Sequence, residues 1–235
     1  MNRNTQIHIA SVVTMAAVLV AVSLPNVELH DSFRFGGFLL VSLLASMFKV
    51  RIPGLTGTYS LNFIVLLAAV SELSRGELLL IALASAVTQS YWRAARRPQL
   101  VQVAFNASNL VISVASASAL FHATRFWQAD WLLLSGGLAA LVYYFLNIGL
   151  TAIVLCLVQG GTLGQMWQHW SLYTLPYYLL GSTLSIGWIF CRPQIHWQGL
   201  LVVVFFLYLV FWLFRNFVSF REGVRQEIRL GIADH

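Results

Sequence analysis

Charge is what this sequence has least of: Lys, Arg, Asp and Glu together make up 9% of its 235 residues, against 59% apolar. A soluble domain carries about 25% charged and 45–50% apolar residues, so an ordinary cytosolic fold is excluded. A mean hydropathy of +0.77 suits a surface that faces lipid and needs no charge. Lysine is nearly missing. Its single copy, Lys49, sits at a segment end, which excludes a mid-helix Schiff base to retinal. Cysteine is scarce as well, and Cys156 and Cys191 alone make neither a disulfide framework nor a four-ligand zinc site. His8, His30, His122, His169, His196 and His235 all fall at segment ends or in loops, so paired axial ligands for a membrane haem are absent. The H-E-x-x-H helix of zinc hydrolases and paired D-x-x-x-D acids for Mg²⁺ are missing too. Gly181-Ser182 has no His at matching depth, and Glu72, the one carboxylate near a span interior, lies close to a segment edge. The expectation is a protein that is not an enzyme and holds no cofactor and no metal. The net charge of +6 does not point to nucleic acid, because the basic residues gather where membrane orientation is set.

What is present is apolar sequence in eight runs: Ile9–Leu24, Phe35–Phe48, Leu55–Leu73, Leu78–Trp92, Val101–Phe121, Trp131–Val158, Leu172–Phe190 and Gly199–Phe214. A span takes about 20 residues, so the length admits six to eight crossings. The fold expected is all-α: a polytopic transmembrane helix bundle of about eight spans over residues 1–214, in a bacterial inner membrane. The Phe35–Phe48 run is short, about 21 Å at 1.5 Å per residue against a core of ~30 Å. With the N-terminus inside, Arg3, Lys49, Arg51, Arg93, Arg96, Arg97, Arg215, Arg221, Arg225 and Arg229 are cytoplasmic; only Arg34, Arg75, Arg125 and Arg192 fall outside. That asymmetry places both termini in the cytoplasm. Arg3 ahead of an apolar run imitates a signal peptide, but no clear small-x-small cleavage site precedes Pro25 and the remaining chain is itself a membrane bundle, so an uncleaved first helix is expected.

Polar residues recur inside these runs at helical spacing. Asn106, Asn109, Ser113 and Ser116 share one face; Gly136, Ala140, Tyr143, Asn147 and Thr151 share another. The third run carries Asn62, Ala69 and Glu72 on one side, and the fourth carries Ser85, Thr88 and Gln89. An amide in hydrocarbon must face protein or water. Two readings follow. The amides pack helices, at about 0.6 kcal/mol per interhelical bond, or they line a cavity between the third and sixth runs. Four amides with Tyr59 and Tyr143 are more than packing requires and keep the cavity reading open, with Asn62, Gln89, Asn106, Asn109, Tyr143 and Asn147 as its ligand-binding residues.

Two corners have more character than the helices. Lys49-Val50-Arg51-Ile52-Pro53-Gly54 leads through Gly57-Thr58-Tyr59-Ser60 to Asn62, with a Pro-Gly turn. Gln89-Ser90-Tyr91-Trp92-Arg93 leads through Arg96-Arg97-Pro98 into the helix of Asn106 and Asn109. Together with Tyr143-Tyr144-Phe145-Leu146-Asn147, this pattern resembles the multi-span membrane-associated sensor domains that precede HD-GYP or GGDEF domains in bacterial signalling proteins. The resemblance covers residues 1 to about 220. It implies a signal-input module without catalytic residues, working with a cytoplasmic output domain or a separate partner protein. The chain ends at His235 without the H-D or G-G-D-E-F chemistry. The alternative is a substrate-binding membrane subunit or small transporter, similar in size to the specificity subunits of ECF importers; a third is an assembly protein with no ligand.

Residues 215–235 are expected to form a cytoplasmic amphipathic exit helix. Phe217, Phe220, Val224 and Ile228 recur every three or four residues, with Arg221, Arg225 and Arg229 at i+4 steps. Such a helix lies on anionic lipid, or pairs with its twin in a homodimer and passes a signal on.

Overall fold

The structure, a computed structural model, describes residues 2–27, 31–51, 58–94, 97–125, 132–160 and 162–191, and nine helical positions between 205 and 219. Among the described residues, these α-helices run in chain order: α1 Arg3–Ser23, α2 Ser32–Met47, α3 Asn62–Ala69, α4 Arg75–Tyr91, α5 Leu100–Arg125, α6 Leu132–Gln159 and α7 Leu163–Cys191. Between α2 and α3 stand two short strands, β1 Lys49–Arg51 and β2 Thr58–Ser60. They pair antiparallel, Lys49 opposite Ser60 and Arg51 opposite Thr58. The Pro53-Gly54 turn lies outside the described residues.

Among the described residues three helices, Arg3–Ser23, Leu100–Thr124 and Leu132–Gln159, are long and apolar enough to cross a membrane. The chain is a helical membrane protein. Helix α2 begins earlier than hydropathy suggests, because Asp31 accepts a hydrogen bond from the Arg34 N–H at 3.0 Å and caps it. Helix α4 likewise begins at a capping box: Ser74 Oγ accepts from the Glu77 N–H at 3.4 Å, and Glu77 Oε2 accepts from the Ser74 N–H at 2.9 Å. The motif Ser74-Arg75-Gly76-Glu77 was there to be read. Gly76 belongs to a close approach, since a Cβ on it would meet the Ser23 carbonyl oxygen at 2.6 Å.

The third apolar run differs most from the single span expected of it. Its helix has 8 residues, about 12 Å at 1.5 Å per residue, and strand β2 precedes it. Helical bonding continues for one turn beyond, with Leu73 N–H donating to the Ala69 carbonyl at 3.0 Å. Irregular backbone at membrane depth survives only where protein covers it or it borders a water-filled cavity. The first condition is met: residues 60–70 are all buried, and α3 packs against α2, α4 and α7. Gly181 of α7 permits that packing, because a Cβ there would lie 2.0 Å from Phe63 Cζ. The rest of the bundle centres on α5, which contacts α1, α4 and α6. The eighth apolar run joins it through Phe211, whose ring centroid is 5.5 Å from that of Phe48. Apart from helical Asn216 and Ser219, the expected exit helix lies outside the described residues.

Candidate functional site

One cavity of about 1190 Å³ runs between α1, α4, α5 and α6, with Ser60, Asn62 and Phe63 at the break before α3 in its wall. Asn62, Gln89, Asn106, Asn109, Tyr143 and Asn147 all line it. Their common wall has a simple origin. On α6, Tyr143, Asn147, Thr151, Val154 and Val158 recur at steps of three and four, which keeps them on one helix face. From Tyr143 to Val158 that face extends about 22 Å at 1.5 Å per residue. On α5 the stripe begins earlier than the sequence reading had it. Gln99, Gln102, Asn106 and Asn109 all border the cavity, and extending the same spacing backwards towards Pro98 would have found the first two.

The six residues divide by their hydrogen bonds. Asn62 is occupied within the protein: Ser42 Oγ donates to its Oδ1, and its Nδ2 donates to Ser85 Oγ at 2.8 Å. This chain of polar groups ties α2, α3 and α4 together. Asn109 is occupied too, its Nδ2 donating to the Asn147 carbonyl and to Thr151 Oγ1, both at 3.0 Å. It joins α5 to α6. Asn147 Nδ2 donates to the Tyr143 hydroxyl at 3.3 Å. Gln89 and Asn106, by contrast, make no side-chain hydrogen bond to another described residue, and Asn106 is exposed to the cavity. Helix packing therefore accounts for Asn62 and Asn109, and leaves Gln89 and Asn106 with donors and acceptors turned to the open space. Glu72 is buried in the turn between α3 and α4, away from the cavity. The Tyr59 side chain lies outside the described residues.

The two ends of the cavity differ in chemistry. Its floor, in the middle of the bundle, is aromatic: the Phe63 and Tyr178 centroids are 4.5 Å apart, and Tyr143 lies 6.1 Å from Tyr178. Its other end is ringed by Asn2, Lys49, Arg93, Gln99 and Gln159, at the ends of α1, β1, α4, α5 and α6. Lys49 Nζ donates to the Trp92 carbonyl and fastens the hairpin to the end of α4. Arg93 follows with φ +46° and its guanidinium carbon 5.8 Å from the Trp92 ring centroid. Neither basic residue belongs to the six anticipated. The sequence did place both in basic corners; what it could not show is that two corners far apart in the chain meet at one opening. Among the described residues no cluster of His, Cys, Asp or Glu could hold a metal ion.

The family model MASE9 matches residues 18–186, which takes in the C-terminal end of α1, all of α2 to α6 and most of α7. No curated protein and no solved structure matches the chain.

Proposed function

The chain belongs to the MASE9 family, a family of membrane-associated sensor domains, and from that premise we propose that it is a signal-input module whose small-molecule ligand occupies the amide-lined cavity. The observation that carries this reading is the convergence of all six polar residues on one 1190 Å³ space. That is at or above the ~300–1,000 Å³ of drug-sized sites, and Gln89 and Asn106 offer it unused hydrogen-bonding groups. In this reading the chain crosses a bacterial inner membrane eight times, the third time through β2 and the short α3, with both termini cytoplasmic. The basic mouth then opens to the cytoplasm. Ligand binding alters the packing of α5 and α6, and residues 215–235 carry the change to an HD-GYP or GGDEF type of output domain or to a separate partner, as a homodimer. The chain itself performs no catalysis.

A substrate-binding transport subunit is the second reading, favoured by the broken third crossing at the cavity wall, since transporters bind cargo at interrupted helices. Native mass spectrometry of the detergent-extracted protein tests the cavity itself. A retained small molecule is expected, and Asn106→Trp should displace it while the protein stays folded. Retention unchanged by Asn106→Trp would place the molecule elsewhere and end the reading. Release of that molecule on the far side of sealed vesicles, with an ATPase partner supplied, would favour transport.

A further inference from the structure

The chemistry of the cavity is graded along its length, and that grading restricts what fits. We propose that the ligand is a planar ring compound with an anionic end, its ring against Phe63, Tyr143 and Tyr178 and its charge at the Lys49–Arg93 mouth; this rests on the sensory reading above.

Three observations converge on it. Among the described lining residues stand two cations and no carboxylate, so the mouth attracts anions and repels cations. Lys49 and Arg93 are held there by the hairpin tether and by the turn after α4, which makes the positive end part of the fold. Phe63, Tyr143 and Tyr178, with centroids 4.5 to 6.3 Å apart, are buried mainly against one another; the little surface they leave to the cavity is aromatic and suits another ring in edge-to-face contact. The wall between carries Gln89, Asn106 and Thr151 among apolar neighbours such as Leu110, Ile148 and Leu155. A plain alkyl chain would strip water from these three groups and give no hydrogen bond in return. A ring bearing heteroatoms replaces the lost water with partners of its own.

The test uses the full chain in nanodiscs of zwitterionic lipid and three probes that separate the features. Naphthalene-2-sulfonate has ring and charge, 2-naphthol has the ring alone, and decyl sulfate has the charge on an alkyl chain. Saturable binding is followed by fluorescence for the naphthalenes and by competition for decyl sulfate. Naphthalene-2-sulfonate is expected to bind at least tenfold tighter than either of the others. Arg93→Asn removes the charge while keeping a residue that tolerates positive φ. It should erase the advantage of the sulfonate and leave 2-naphthol unchanged. Equal affinity of sulfonate and naphthol, both lost in Asn106→Trp, would overturn the anionic end and leave the cavity reading standing. Decyl sulfate binding as tightly as the naphthalene would overturn the ring. Binding of all three undiminished by Asn106→Trp, or no saturable binding of any, would remove the cavity reading and this inference with it. Arg93 is exposed, so the charge comparison holds even where Asn106→Trp fails to fold.

Discussion

Asn106 and Asn109 stand three residues apart on one helix and do different work. Asn109 is buried and spends its Nδ2 on α6. Asn109→Leu should therefore lower stability by about 1–2 kcal/mol, the upper range for interhelical bonds plus the misfit of a branched chain; steric-trap or thermal unfolding in detergent reads it. Asn106→Leu touches no described hydrogen bond, so its stability should stay within about 0.5 kcal/mol of the parent, while retention of a bound molecule falls. Equal destabilisation by both changes would show that Asn106 is also a packing residue. Gly181→Ala is expected to be damaging, because the new Cβ would lie 2.0 Å from Phe63 Cζ. Overpacking of that kind costs about 1–3 kcal/mol, and the shifted Phe63 ring should also weaken ligand retention. At this scale the sequence was informative about faces and silent about partners. A helical period says that Asn106 and Asn109 share a side; it cannot say which of them meets Asn147.

Among the elements, α4 has an identifiable start and α3 an identifiable weakness. Ser74→Ala removes the oxygen that accepts the Glu77 N–H, and loss of such a cap costs about 1 kcal/mol. Hydrogen exchange should then rise in the first turn of α4 and not in α5; a uniform rise across the bundle would mean that the cap supports packing instead. Most helices were legible as apolar runs, their ends shifting by a few residues where Asp31 or Ser74 supplies a cap. The third run was not. Residues 55–73 read as one continuous apolar segment, because hydropathy does not register that residues 58–60 pair with 49–51. The β-branched and aromatic character of Thr58 and Tyr59 is compatible with a strand, but only the partner strand decides it. The same break gives Ser60, Asn62 and Phe63 their places on the cavity wall, so what the pattern missed is part of what builds the site.

For the whole molecule, membrane residence follows from composition, and sensory membership from the family match over residues 18–186. The position of the mouth follows from neither alone. It needs the fold to bring the ends of α1, β1, α4, α5 and α6 together, and the charge asymmetry to say which side they face. Pairing of the exit helices is a separate matter, read by disulfide crosslinking: Phe220→Cys and Val224→Cys should crosslink between subunits and Glu222→Cys should not, while failure at all three in native membranes leaves that helix on the lipid surface. The central claim is an open, water-bearing cavity that faces the basic side. The most direct measurement is thiol accessibility of Asn106→Cys, in a background with Cys156 and Cys191 replaced by alanine, using a membrane-impermeant maleimide. Leu141→Cys, on the outer face of α6 and 48% exposed, serves as the lipid-facing control. The account predicts rapid modification of Asn106→Cys in inverted vesicles, none in right-side-out vesicles, and none of Leu141→Cys in either. Modification from the outer side, or protection of Asn106→Cys from both sides, would contradict it.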